Sequence, residues 1–554
     1  MPINPLASYL FASYLFASYL FARYLFASYL FRKTPVVAVL STLSTGVLAV
    51  DNFSYQSAPA FNPVMMARAE PTQVNGQLAA MDNGQALIDT EQNRQVGEWA
   101  LRQINGNAAL IKDPWLQQSL EQIVWQINAV AGLNAPMGLV IINDKQINAF
   151  AVPSGLIGIN VGLLDKAKSL DEIVSVIAHE IAHVSQRHYQ HRSDEKTKQL
   201  LMQAGGLLAG VAASKIGDGD AAAAVMLGSQ AMSANAAASY SRGQEREADR
   251  IGMQIMNQAG YDVNAMPSFF ATLDQQNPVK SNTLIPSFIL SHPLTADRIS
   301  EARARVATYK RDSQANMASN RYQSIQQQRA QLFEQIQWRA RYYGYLVNKA
   351  DLEQGAKTSK GAKLALINYY LDNGQPKAAQ SLMQDFDKDI NTLANPLAVV
   401  TFSQLAAQQG NVDVAIAKLQ QLAAVYPERT DVPRYLSDIY LKYRPTAESG
   451  QKVLALLQPL SKQNPRDVMV WDRLQQASQL LAKHRSGDEQ LIHRINTLRY
   501  RAYGELWRNE LKDAVTSLTQ AKSLAKQLPS NQSLLALLNQ QINQVQDANQ
   551  FKPS

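Results

Sequence analysis

The chain has 554 residues, enough for several domains each with its own core. With 46% hydrophobic and 18% charged residues it reads as folded rather than disordered, and a net charge of +8 without any nucleic-acid motif gives no sign of nucleic-acid binding. The absence of cysteine excludes disulfides and thiolate metal sites, leaving His, Glu and Asp as possible metal-binding side chains.

Residues 7–31 are five tandem pentamers, Ala-Ser-Tyr-Leu-Phe four times and Ala-Arg-Tyr-Leu-Phe once. Arg32-Lys33 and an apolar run from Pro35 to Val50 follow, with small residues at Val47-Leu48-Ala49 and again at Ala58-Pro59-Ala60. That order is the one of a cleaved secretory signal, so residues 1–49 are expected to be removed; a membrane anchor is the alternative. Arg23, Arg32 and Lys33 are the charged residues before Asp51, so the mature chain would carry 8 − 3 = +5. The Pro-, Asn-, Gln- and Ser-rich stretch 50–85 is expected to be a linker.

A domain is expected over 86–310. Trp99, Leu101 and Ile104, then Leu116, Leu120, Ile123 and Ile127 after Pro114, have the spacing of helix faces. The period then changes. Gly138–Asn143 is β-rich, and Ala149–Val152 and Leu156–Val161 flank a Pro153-Ser154-Gly155 turn, which predicts a small hairpin or sheet edge. Ser169-Leu170-Asp171-Glu172 has the capping-box pattern of a helix start, and Ile173, Val174, Val176, Ile177, Ile181 and Val184 make that helix apolar enough to lie inside the domain. Residues 200–238 are rich in Ala, Gly, Leu and Met; the uncharged run Leu200–Ser214 is too short to span a membrane, so small-residue helices or a cover over the site are expected.

A helical linker is expected over 311–340 and helical repeats over 341–554. Gly374, Gly410 and Asn509 are each followed five residues later by alanine (Ala379, Ala415, Ala514), and Pro427, Pro465 and Pro529 each end a helical stretch. Spacings near 34 residues, with aromatics at Tyr369, Tyr370, Tyr435, Tyr440 and Trp507, form a loose tetratricopeptide-like (TPR-like) pattern.

Inside the apolar helix stands His179-Glu180-Ile181-Ala182-His183. Residues four apart share a helix face, so the two imidazoles can turn toward one zinc ion while Glu180 flanks it and serves as a general base in peptide hydrolysis. A third ligand is needed. Gln186 and Tyr189 rule out the pattern in which a nearby histidine such as His188 or His191 would serve. Ser241 and Gln244 start a second helix on which Glu245 and Asp249 share a face. Glu245 can complete the site, and Asp249 can hold the far nitrogen of a ligand histidine; Glu247 is the rival ligand.

His-Glu-x-x-His followed by Glu-x-x-x-Asp resembles the gluzincin family of HtpX and the CAAX prenyl proteases. The signal sequence before it and the TPR-like helices after it resemble the family's BepA-type branch in Gram-negative bacteria. The resemblance covers about residues 85–540. It implies an α+β zincin-like protease domain, mainly α with a small β-sheet, followed by an all-α TPR-like domain. It implies one zinc per chain, a periplasmic location, misfolded or stalled outer-membrane proteins as substrates, a chaperone-like action, and docking of the TPR region on the outer-membrane assembly machinery. It also implies roles for Ser291-His292-Pro293 and Arg298: His292 as a fourth zinc ligand that holds the enzyme off, or as a helper in catalysis, and Arg298 as the residue that positions this loop. On the residues alone, His292 reads as a loop residue before proline. Two other functions remain open: a TPR adaptor or chaperone whose protease domain is mainly a scaffold, and a membrane-anchored protease.

Overall fold

A computed structural model describes residues 83–133, 137–152, 154–187, 240–275, 287–317 and 320–553. The pentamer tract and expected signal, the 200–238 segment, His188 and His191 lie outside the described residues. Helix α1 (Asn83–Asn107) leads to α2 (Pro114–Val130), whose start is fixed by Pro114 at its first position and by Asp113, which accepts a hydrogen bond from the Leu116 N–H at 2.8 Å. Strands β1 (Gly138–Ile142), β2 (Ala149–Val152) and β3 (Leu156–Asn160) form one sheet in the order β1-β3-β2. The expected hairpin is β2–β3, antiparallel with Ala149 opposite Ile159, and Gly155 takes the left-handed turn position at φ 78°. β1 joins parallel to β3, with Gly138 opposite Leu156.

Val161, read as the end of β3, instead opens a short helix α3 (Val161–Lys166). Then comes α4 (Leu170–Ser185), the helix of the His-Glu-x-x-His sequence, with every residue from Leu170 to His183 buried. Ser169 caps it by accepting from the Glu172 N–H at 3.2 Å. The reciprocal half of the expected capping box differs: the Glu172 carboxylate accepts from the Lys168 N–H and from the Ser268 hydroxyl, pinning the following helices to this corner. β2 and α2 pack on α4 from the sheet side.

Helix α5 (Arg242–Gln258) lies along α4, and its capping box between Ser241 and Gln244 is complete. Gly252 permits the close approach: a Cβ there would stand 3.2 Å from the His179 nitrogen and 3.3 Å from the Ala178 carbonyl carbon. α6 (Ala265–Gln275) packs on α4; the short α7 (Ser287–Ser291) and α8 (Ala296–Met317) follow. α9 (Asn320–Tyr343), over much of the expected linker, packs on α2, α3, α4 and the later helix α11.

The remainder is helical: α10 (Lys349–Gly355), α11 (Lys360–Asp372), α12 (Pro376–Met383), α13 (Asp387–Thr392), α14 (Pro396–Gln408), α15 (Val412–Val425), α16 (Asp431–Tyr443), α17 (Ala447–Gln463), α18 (Val468–His484), α19 (Gly487–Trp507), α20 (Leu511–Ala525) and α21 (Gln532–Gln550). The repeated sequence positions have one physical cause. Gly374, Gly410 and Asn509 all have positive φ and reverse the chain between paired helices, α11/α12, α14/α15 and α19/α20. Ala379, Ala415 and Ala514, five residues on, are fully buried where a larger side chain would separate the pair. Alternate helices α11, α14, α16 and α18 pack in series, the stacking of an all-α repeat.

These helices share a buried seam with the first part of the chain. Arg339 on α9 grips Asp113 through Nε and Nη2 at 2.6 and 2.7 Å, and the Tyr435 hydroxyl on α16 donates to Asp113 at 3.2 Å. Nearby, Arg466 pairs with Glu98 at 2.9 Å, and Asn509 donates to Gln103 at 3.3 Å. Tyr435 also lines a cavity of about 550 Å³ with Gln404, Asp438, Lys442 and Gln476.

Candidate metal centre

α4 places His179 and His183 one turn apart, so both rings face the same way. Their Nε2 atoms are 3.1 Å apart. From α5, Glu245 brings Oε1 to 3.4 Å from His183 Nε2 and Oε2 to 3.5 Å from His179 Nε2. The end of α7 delivers His292, whose Nδ1 lies 3.3 Å from His179 Nε2 and 3.0 Å from Glu245 Oε1. One donor atom from each of the four residues falls within 4.8 Å of the others, and all four residues are buried.

Around this cluster stands a buried frame. Asp249 Oδ1 is 3.0 Å from His179 Nδ1, the nitrogen turned away from the meeting point. Arg298 forks onto Asp249 through Nε and Nη2 at 2.7 and 2.8 Å, reaches Glu245 with Nη1 at 2.6 Å, and donates from the same nitrogen to the Pro293 carbonyl at 3.0 Å. Glu180 turns beside the cluster, with Oε1 3.4 Å from His292 Nε2. Glu247, the rival ligand, points outward: its side chain is 45% exposed and lies 3.8 Å from Arg250.

The arrangement fits a metal ion on three counts. Four separations among His179 Nε2, His183 Nε2, His292 Nδ1 and Glu245 Oε1, from 3.0 to 3.4 Å, lie near the edge of about 3.3–3.4 Å of a tetrahedron with bonds of about 2.0–2.1 Å. Glu180 Oε1 is buried without a hydrogen-bond partner. Finally, Glu180, Glu245 and Asp249 face one buried guanidinium, Arg298, so the pocket carries excess negative charge. On the protein's own charges, burial disfavours a charged His179, yet Asp249 and Glu245 outweigh it and push its pKa up to about 9. A divalent cation answers the same imbalance that draws that proton. Burial holds His183 well below the usual imidazole range, leaving its lone pair available. Burial also opposes an ionised Glu245, but His292, His179 and His183 together keep it well below the carboxylate range. Glu180 is raised, chiefly by burial.

Residues 111–306 match the profile of peptidase family M48. Over 430 residues the chain is 28% identical to the beta-barrel assembly-enhancing protease of Yersinia pestis, covering 74% of this chain and 82% of that one. It is 34% identical over 229 residues to a putative beta-barrel assembly-enhancing protease of Vibrio cholerae, covering 40% of this chain and 46% of that one. A mitochondrial metalloendopeptidase of Schizosaccharomyces pombe is 29% identical over 181 residues, 32% of this chain and 50% of that protein. The matches to the Vibrio and yeast proteins thus span about half the length of those relatives.

Residues 111–306 thus match a peptidase family M48 domain. Its type is that of a metalloendopeptidase, and the family implies a metal at the cluster just described. All the site residues nominated from the sequence, His179, Glu180, His183, Glu245, Asp249, His292 and Arg298, lie in this one place. Two aromatic residues were missed. Phe288 stacks on His292 at 4.6 Å between centroids, one helical turn earlier on α7. Tyr240 stacks on His183 at 3.8 Å and 25°. The four-residue spacing of Phe288 and His292 could have exposed the first, had the helix been foreseen; a lone tyrosine before a helix cap carries no spacing signal.

Proposed function

We propose that the chain is a zinc-dependent endopeptidase of the periplasm that acts on outer-membrane β-barrel proteins during their assembly, cutting stalled or misfolded chains and aiding productive ones in a chaperone-like way. The observation that carries the hydrolytic reading is the meeting of four donor atoms within 4.8 Å beside buried Glu180. His179, His183 and Glu245 would hold one zinc per chain, which when bound supplies Lewis acidity toward a peptide carbonyl and lowers the pKa of a water. Glu180 takes the proton from the water as its oxygen bonds to the carbonyl carbon, and delivers it to the amide nitrogen as the C–N bond breaks. Asp249 keeps His179 in its orientation, and Arg298 fixes Asp249, Glu245 and the main chain at Pro293.

His292 would be a fourth donor to that ion, and its ring would have to leave that place before a water could be activated there. β2 is, like β1, an edge strand of its sheet, and it packs on α4. An extended peptide pairing there is held by its main chain, with little sequence preference. The relatives named as beta-barrel assembly-enhancing proteases support the substrate class, and the stacked C-terminal helices are the surface that would dock, TPR-like, on the assembly machinery.

The test sets purified Glu180→Gln beside wild type on an unfolded outer-membrane β-barrel protein. Cleavage should fall by about 10²–10⁴-fold, the usual worth of a positioned general base, with about one zinc per chain retained in both. Equal cleavage by the two proteins would remove Glu180 from the reaction and favour the scaffold reading.

A further inference from the structure

Three separate pieces of chain bring the donor atoms together: α4 carries His179 and His183, α5 carries Glu245, and the end of α7 carries His292. Tyr240 touches all three. Its ring lies on the His183 imidazole, with centroids 3.8 Å apart and planes at 25°, and sits 5.2 Å from the His292 ring at 31°. Its N–H donates to the Ser291 carbonyl at 3.2 Å, directly before His292. The next residue, Ser241, is the cap of α5, and the Glu245 N–H closes the first turn onto the Ser241 carbonyl at 3.0 Å. Tyr240 is itself buried.

We propose that Tyr240 is a positioning residue of the metal centre, its flat ring holding the His183 imidazole in place and its main chain tying the His292 loop to the start of the helix that carries Glu245. His183 stands in the last turn of α4, whose end is closed by the Gln186 N–H donating to the Ala182 carbonyl at 2.9 Å. A stacked aromatic ring limits rotation of the imidazole about its Cβ–Cγ bond, so Nε2 stays aimed where His179 Nε2 and Glu245 Oε1 meet it. A flexible side chain of similar bulk fills the space without that restraint. The ring, rather than the hydroxyl, performs this role, so phenylalanine should replace tyrosine.

The inference rests on the reading that the cluster holds a metal, and cobalt(II) tests both separately because it reports its own coordination. The full chain is stripped of metal and loaded with cobalt(II). The visible ligand-field spectrum is then recorded, and affinity is measured by competition with a chelator. Tyr240→Phe should keep the wild-type spectrum and an affinity within about twofold. Tyr240→Leu should bind about 10–100-fold more weakly, the usual effect of removing a group that orients a ligand histidine, and its bands should shift. If Tyr240→Leu loses its helical circular dichroism, Tyr240→Met, unbranched and non-planar, replaces it with the same expectation. A wild-type spectrum and affinity in the non-planar variant would overturn the role of Tyr240 alone. Failure of the wild type to bind cobalt(II) would overturn the metal reading and this inference with it.

Discussion

His292 is shared between two partners. Its Nδ1 stands among the donor atoms, 3.0 Å from Glu245, while Nε2 lies 3.4 Å from Glu180. One imidazole therefore lies beside both Glu245 and Glu180, and under the proposed reaction it would have to move from both before water is activated. His292→Ala should raise basal cleavage of an unfolded β-barrel protein about tenfold if the closed arrangement is favoured by about 1.4 kcal/mol. Unchanged cleavage and unchanged zinc affinity in that variant would return His292 to an ordinary loop residue before Pro293. At this scale the sequence was most legible where helical spacing does the work. His179 and His183 are four apart, as are Glu245 and Asp249, and each pair shares a face by geometry alone. Arg298 and His292 had no such spacing to announce them, because they come from α8 and from the end of α7, elements other than those that carry the two pairs.

The site depends on how closely α4 and α5 lie, since three of the four clustered residues, His179, His183 and Glu245, are divided between them. Gly252 sets that distance opposite His179. Gly252→Val should force α5 outward, cost about 1–3 kcal/mol by overpacking, and weaken zinc binding by moving Glu245 from the histidines. Denaturant unfolding and chelator competition check the two effects, and a variant that keeps native zinc affinity would show that the crossing can yield. Both helix starts were legible because Ser169 and Ser241 are true caps. The sheet order was not: hydrophobic alternation marks strands without saying which pair, and β1 reaches β3 as a parallel neighbour with β2 beyond it. Short α3 was hidden because Val-Gly-Leu-Leu carries the same apolar signal as the strand before it.

Across the whole molecule, the repeat helices are joined to the first part of the chain by buried charge as well as apolar contact. Asp113 both caps α2 and neutralises Arg339, which is 1% exposed. Asp113→Ala leaves that guanidinium buried without its partner, so stability should fall by about 3–5 kcal/mol, measured by urea unfolding. A loss under about 1 kcal/mol, the worth of an exposed pair, would show that water reaches the seam. The turns within the repeats were readable from their glycines and alanines, because each position has a local backbone or packing cause. The seam was not readable, because Asp113 and Tyr435, or Gln103 and Asn509, share no pattern that a window along the chain can detect.

That seam also sets an order in time. Its hydrogen bonds join residues 322, 368 and 406 positions apart, at Asp113–Tyr435, Glu98–Arg466 and Gln103–Asn509. A chain made from its N-terminus must reach α16 before Asp113 meets Tyr435, and reach Asn509 before Gln103 meets it. Closures over such distances are slow, since the entropy of a large loop is lost before the contacts that reward it form. α2, which packs against the helix of His179 and His183, therefore reaches its final surroundings late. A freshly made chain passes through a long interval in which the helix of His179 and His183 exists but its supporting wall does not.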